Sequence, residues 1–480
     1  MDVGRLLFPA LRWDATRGFG HEAGKIEAAL ARRVGGFIIF GGPAEAVREL
    51  TTELRARSRD PLLIGADLER GAGQQFRGAT PLPPLGALGE LDDLEVTRRA
   101  AALTAREARA IGVDWIYAPV ADLDIEPRNP IVGSRAFGGD PGHVAAHVTA
   151  WVEGCRAGGC LSCVKHFPGH GRTVADSHIE LPVVDARRAE LEADLAPFRA
   201  ALRAGVDSVM TAHVAYPALD PSGAPATLSS RIVTGLLRNE LGFGGLVVTD
   251  ALIMAGAVGA GEGAAAVRAV AAGCDVLLYP PDLEAAARAV EEAIGRELPE
   301  ERVREAVSRI DAAARAAAGR AEEGGWGREE DRAWALDVAI RSLRVVRGEP
   351  ALPDGPFDLL TVDDDVGGPY PPGPRDAFPA GLREGGAAVR EVDAPTGERP
   401  LVVALYADIR GWKGRPGLSA AAKEALGRAI GARTDATVVL FGHPRLAAEV
   451  PGTRVLAAWG GEPLMQEAAA RWLLAGGGVG

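Results

Sequence analysis

Short apolar runs alternate along the first two-thirds of the chain with longer segments in which Ala and Leu recur among Arg and Glu at helical spacing. The runs at 5–8, 36–40, 62–67, 115–119, 161–165, 208–213, 246–250 and 276–279 each predict a buried strand. Between them, the patterns over 92–110, 142–156 and 186–204 predict amphipathic helices. Strands alternating with helices over roughly 300 residues predict an α/β fold, a (β/α)8 TIM-type barrel spanning 1–320. The competing topology is a doubly wound open sheet, but no Gly-x-Gly-x-x-Gly follows the first strand to support it.

A Gly/Glu-rich stretch at 319–327 reads as a linker and 328–341 as a helix, so 321–345 is a linker and connecting helix. The alternation then resumes. Strands at 358–362, 401–406, 436–441 and 454–459, with helices at 419–430 and 462–473, predict a smaller C-terminal α/β sandwich domain over 346–480. The stretch 367–374 is a Pro/Gly-rich loop.

Polar residues gather at the strand ends. Asp67, Asp122, Lys165, His166, His213 and Asp250 all stand at or just past the C-terminal end of a predicted strand. A barrel brings those ends to one face, which is where such folds carry their chemistry. The densest stretch is 165–178, which holds Lys165, His166, His170, Asp176 and His178 on backbone broken by Pro168, Gly169 and Gly171. Zinc ligation by His166, His170, Asp176 and His178 is one reading. However, Pro168 and Gly169 prevent His166 and His170 from sharing a helical face, so acid/base and substrate-binding chemistry is preferred and no metal is expected. Asp176 precedes His178 by two residues and can orient and charge-stabilise its imidazole. Asp250 suits a nucleophile or charge stabiliser, and equally an N-cap for whatever follows it.

The formal net charge of −12 argues against nucleic acid and anionic membrane as partners. No apolar stretch is long enough to cross a bilayer, and the N-terminus lacks a basic leader with an apolar core. Four Cys make no disulfide framework, and Cys160 and Cys163, three apart in a strand, face opposite sides. The expectation is a cytoplasmic protein.

Three stretches together resemble glycoside hydrolase family 3, in its bacterial β-N-acetylglucosaminidase branch. They are 165–178, with its Lys-His-Phe-Pro-Gly-His-Gly and Asp-Ser-His; 118–138, with Ala-Pro-Val-Ala-Asp, Arg-Asn-Pro and Ser-Arg-Ala-Phe-Gly; and 246–254 around Asp250. The resemblance implies a retaining exo-β-N-acetylglucosaminidase acting through a covalent glycosyl-enzyme. Asp250 would be the nucleophile and His178, paired with Asp176, the general acid/base. Asp67, Arg135, Lys165 and His166 would hold sugar hydroxyls, with His213 also lining the pocket. It implies a small carbohydrate substrate, an N-acetylglucosaminide or a muropeptide from peptidoglycan recycling, a monomer or homodimer, and no cofactor. The third-strand loop departs from the branch's usual Asp-x-Glu-Gly-Gly-Arg: here Arg70 stands where Gly is usual and Ala72 where Arg is. The alternatives are a phosphorylase of the same family, a β-glucosidase, and a catalytically silent sugar-binding protein, the last having no need for Asp250, Asp176 and His178 together. The second domain is expected to be non-catalytic, with His443 a strand-end turn residue.

Overall fold

β1 (Leu7–Phe8) and β2 (Ala10–Arg12) flank Pro9 as two halves of one barrel strand. From β2 the chain builds a seven-stranded parallel sheet in sequence order: β3 (Gly36–Phe40), β4 (Leu63–Ala66), β5 (Trp115–Ile116), β6 (Leu161–Phe167), β7 (Ser208–Thr211) and β8 (Leu246–Val248). β9 (Leu277–Leu278) pairs in parallel with β1, and Val276 bridges Val248 at the end of β8. That pairing closes the ring, so this sheet presents no open edge. The computed structural model describes residues 2–254, 261–318, 324–365, 373–431 and 433–477. Most of the predicted Pro/Gly-rich loop (367–372) and part of the predicted linker (319–323) lie outside the described residues.

The barrel interior is packed rather than hollow. Phe8 meets Trp115 edge-on at 5.8 Å between ring centroids, and Trp115 meets Tyr117 at 4.8 Å. The Trp115 indole donates to Ser208 Oγ across the barrel at 2.8 Å. Gly65 makes room for Tyr117: a Cβ there would lie 2.4 Å from the Tyr117 hydroxyl. The helices over 92–110, 142–156 and 186–204 are observed at Leu94–Ile111, Pro141–Ala157 and Arg188–Arg203. The first strand starts later than its apolar pattern predicts. Val3–Leu6 is a 3-10 turn because buried Arg5 donates to the Val34 and Pro61 carbonyls, each at 2.8 Å, and to Asp311.

Three strands begin with one device, a Gly-x-Asp step at 112–114, 205–207 and 273–275. Each glycine has positive φ (89°, 76° and 118°) and ends the preceding helix, which suits a residue without Cβ. Each aspartate then accepts the backbone N–H of the neighbouring strand: Asp114 from Ile64, Asp207 from Ser162, Asp275 from Val247. Asp275 is fully buried and gathers Arg238, Arg302 and Arg309 as well. Asp275→Ala would remove the one buried carboxylate shared by three guanidinium groups and an N–H, so a loss of about 3–5 kcal/mol is expected in urea unfolding followed by tryptophan fluorescence. A loss under about 1 kcal/mol would show the cluster to be replaceable by water.

Cα packing divides the chain into two units: Met1–Thr80, Leu94–Leu123 and Gly139–Arg328 form the first, and Pro81–Asp93, Asp124–Gly138 and Glu329–Gly480 the second. The boundaries 1–320, 321–345 and 346–480 do not anticipate this interleaving. Residues 81–93 and 124–138 leave the barrel's sequence range and pack within the second unit. There Gly89 abuts the Phe137 backbone, Gly133 abuts Ile409, and Asp124 bonds His443 Nε2 at 3.1 Å.

The second unit is a six-stranded sheet in the order β10-β15-β14-β13-β11-β12, with β10 (Arg344–Arg347), β11 (Phe357–Asp363), β12 (Val389–Val392), β13 (Leu401–Ala407), β14 (Thr437–Gly442) and β15 (Arg454–Ala457). Only the β10–β15 pairing is antiparallel among these. Strict alternation on β13 serves two cores: Leu401, Val403 and Leu405 face the helix Ala420–Ile430, while Val402, Ala404 and Tyr406 face Ala377–Glu384 and Pro463–Leu474. This is the α/β sandwich that the pattern predicts. His443 caps the turn Pro444–Glu449 through Arg445 N–H, in line with a strand-end role. No helix of the described residues is long and apolar enough to cross a membrane.

Candidate active site

The carboxyl ends of the barrel strands bring together Asp67, Lys165, His166, Asp176, His178, His213 and Asp250, all within the first unit. Arg135 belongs elsewhere in the packing: it ends the 3-10 turn Gly133–Arg135 in a segment of the second unit.

β6 is buried along its whole length and ends in Lys165, His166 and Phe167. Burial of an ammonium demands anionic partners, and Lys165 Nζ has two, Asp67 Oδ1 and Glu69 Oε1, each at 2.7 Å. The three side chains form a fixed polar bracket just past β4. Asp67 remains partly open, whereas Lys165 and Glu69 are buried.

Asp122 anchors the next residue. Its Oδ2 bonds His166 Nδ1 at 2.8 Å, and its Oδ1 accepts the backbone N–H of His166 (3.2 Å) and of His170 (2.6 Å). Burial pushes the Asp122 pKa up, but His166 and His170 more than offset this and hold it below the ordinary range. With Nδ1 committed, His166 turns Nε2 to other partners.

His170 is internal. Its ring bonds Thr173 Oγ1 at 2.8 Å and Ser177 Oγ at 3.0 Å. Burial pushes its pKa down to about 4, partly resisted by Asp122. His170 therefore stays neutral in the folded protein while the unfolded chain takes up a proton below about pH 6.5. Its contribution is complete above that value and is lost as pH falls from about 6.5 to 4, about 3 kcal/mol in all. Denaturation midpoints across this window should fall more steeply for the wild type than for His170→Gln. Parallel profiles would remove His170 as a source of acid instability.

His178 Nδ1 lies 2.7 Å from Asp176 Oδ1, which also accepts the His178 backbone N–H at 2.9 Å. The carboxylate thus fixes both the ring and its own turn. Asp176 is buried and His178 is partly exposed.

Asp250 stands two residues past β8, and its Oδ1 accepts the Ala251 N–H at 2.7 Å. This is not an N-cap. Residues 251–254 form a turn, and the next helix among the described residues, Glu262–Ala272, is capped by Gly261. Burial raises the Asp250 pKa, but His166, His213 and His178 outweigh it, leaving the group below its ordinary value and ionised at neutral pH. His213 is fully buried with both ring nitrogens engaged, by Thr227 Oγ1 at 2.8 Å and the Ala251 carbonyl at 3.1 Å. Burial holds its pKa down. It therefore braces the backbone beside Asp250 from behind the pocket wall.

Glu69 and Asp122 complete the site; the sequence places Asp122 on this face without giving it a role, and gives Glu69 none. The signal for Glu69 is its i+2 spacing from Asp67, and for Asp122 the strand-end position it shares with Asp67 and Asp250.

The geometry is that of a polar barrel mouth with an ionised carboxylate, a carboxylate-oriented imidazole and a lysine bracket. The family described as "Glycosyl hydrolase family 3 N terminal domain" matches residues 19–313. A beta-hexosaminidase of Chromobacterium violaceum is 43% identical over 257 residues, covering 51% of this chain and 71% of its own. One from Pseudomonas aeruginosa is also 43% identical over 257 residues, covering 52% of this chain and 76% of its own. Among solved structures, a glycoside hydrolase family 3 beta-N-acetylglucosaminidase from a Paenibacillus species superposes with a TM-score of 0.85 at 31% identity, over 99% of this chain and 96% of that one. A beta-glucoside phosphorylase superposes equally well, TM-score 0.85 over 98% and 91% of the two chains, at 22% identity, a likeness of fold alone. The chain belongs to glycoside hydrolase family 3 and is a glycoside hydrolase.

Proposed function

We propose that the protein is a retaining exo-β-N-acetylglucosaminidase that removes terminal β-linked N-acetylglucosamine from small fragments of peptidoglycan in the cytoplasm. The observation that carries this reading is the Asp176–His178 pair in the same pocket as ionised Asp250. In the first step Asp250 attacks the anomeric carbon. His178, its Nδ1 held on Asp176, gives the Nε2 proton to the departing oxygen. In the second step the imidazole takes a proton from water, which attacks the glycosyl-enzyme on the same face. An imidazole in this role does not repel Asp250 as a second carboxylate would. Asp67, Lys165 and His166 are assigned to the sugar hydroxyls. The relatives named beta-hexosaminidase support the hexosamine preference.

A phosphorylase is the second reading, since an imidazole rather than a carboxylate as acid/base also tolerates an incoming phosphate. One assay separates the possibilities: 4-nitrophenyl β-N-acetylglucosaminide against 4-nitrophenyl β-glucoside, with and without phosphate. Turnover of the first alone, yielding free N-acetylglucosamine whether or not phosphate is present, is expected. Sugar 1-phosphate as the main product would replace the hydrolase with the phosphorylase, and preference for the glucoside would replace the sugar.

A further inference from the structure

The segment 168–187 between β6 and the helix Arg188–Arg203 carries Asp176 and His178. Its tip is open, with Val174 and Ile179 each about half exposed (51% and 53%). Its root is fastened firmly. Tyr216 Oη donates to the Gly169 carbonyl at 2.7 Å, and Gly169, at φ 133°, backs onto the helix so closely that a Cβ would sit 3.0 Å from Asp194 Cβ. Arg172 Nε donates to Asp194 Oδ2 at 2.6 Å, and its Nη2 to the Glu190 carbonyl at 3.2 Å. On the return side, Val184 N–H bonds the Ala215 carbonyl and Ala215 N–H the Pro182 carbonyl. The span 173–181 runs between these two anchors and is tied within to the His170 ring through Thr173 and Ser177.

One anchor is costly. Asp194 is buried, and its Oδ1 meets no donor among the described residues. A desolvated carboxylate with half its acceptors empty is a poor way to gain stability, and an apolar pair of similar volume would do better. The groups facing it are Arg172 from the loop, Asp122 from the segment after β5, Glu190 one turn earlier on its own helix, and the neutral Tyr216 hydroxyl.

We propose that Arg172 and Asp194 are positioning residues for the glycosidase reaction: their ion pair sets the root of the loop so that the Asp176–His178 pair meets the departing oxygen. The inference rests on the acid/base reading of His178. Burial pushes the Asp194 pKa up to about 6, with Arg172 pulling it back and Asp122 and Glu190 adding to the rise. The pair is therefore ionised at neutral pH and is dismantled as pH falls through about 6.

The test compares Arg172→Met and Asp194→Asn with the wild type on phenyl and dinitrophenyl β-N-acetylglucosaminides. At about pH 7.5 the variants should lose roughly 10- to 100-fold in kcat/KM on the phenyl glycoside, the scale of a misplaced catalytic group. On the dinitrophenyl glycoside, whose departure needs little protonation, kcat/KM, which reports the glycosylation step alone, should stay within about threefold. Near pH 5 the wild type and Asp194→Asn should converge, because wild-type Asp194 is then protonated too. Arg172→Lys should recover most of the loss. Equal losses on both glycosides, or a wild-type to Asp194→Asn ratio unchanged between the two pH values, overturn the proposal. If Asp194→Asn does not fold, Arg172→Met, at a partly exposed site, carries the leaving-group comparison alone. His178→Ala run alongside separates the two failures. Discrimination in His178→Ala but not in the pair variants overturns the positioning role alone. Its absence in His178→Ala overturns the acid/base reading beneath it.

Discussion

Asp250→Asn should lower kcat by about 10⁴-fold or more while leaving the unfolding midpoint within a degree or two of the wild type, because it removes a group that acts as one unit with its acid/base partner. The exchange is nearly isosteric, and the amide oxygen can still accept the Ala251 N–H that Asp250 Oδ1 accepts now. What disappears is the anion. A neutral amide cannot form the glycosyl ester, and the pocket loses the anion that His166, His213 and His178 help to hold ionised. A 2-deoxy-2-fluoro or 5-fluoro glycoside with a good leaving group should label the wild type on the peptide that contains Asp250. A label on another carboxylate, or an Asn variant that retains more than about 1% activity, would move the nucleophile elsewhere.

Much of the site is legible in the sequence because a parallel barrel converts a linear pattern into a spatial one. An apolar run that ends in Lys165-His166, or in Asp250 two residues past Val248, can only deliver those groups to the strand's carboxyl end. What stays hidden is non-local. The pattern at 5–8 reads as strand, yet the Arg5 guanidinium binds carbonyls 29 and 56 residues away, and no periodicity announces that. Asp122 looks like one more strand-end acid, and only the fold shows it gripping the His166 ring and two backbone N–H groups. His213 reads as a pocket residue because nothing in its neighbours reveals that Thr227 and Ala251 occupy both nitrogens. The Gly-x-Asp step at 112–114, 205–207 and 273–275 is different. Its repetition is plain in the sequence, but its meaning depends on the N–H that each carboxylate meets on the adjacent strand. Segment 124–138, with Arg135, packs in the second unit through Gly133 and Asp124, a choice made by tertiary packing that a linear domain boundary cannot express.

His178→Ala should divide substrates by leaving group. On phenyl β-N-acetylglucosaminide, whose oxygen must be protonated as it departs, kcat should fall by roughly 10²- to 10⁴-fold, the usual contribution of a general acid. Dinitrophenoxide leaves without that help, so glycosylation of Asp250 should be nearly unimpaired there. The loss would appear in the second step, where the imidazole activates water. The glycosyl-enzyme should accumulate, seen as a burst of dinitrophenol followed by slow turnover, and azide should rescue the slow phase by attacking without base assistance. Asp176→Ala should follow the same order of substrates with smaller losses, because it leaves the imidazole in place but frees Nδ1 and the backbone turn that the carboxylate now fixes. Uniform losses on both glycosides, with no burst and no rescue by azide, would remove His178 from the proton path and leave it a structural partner of Asp176.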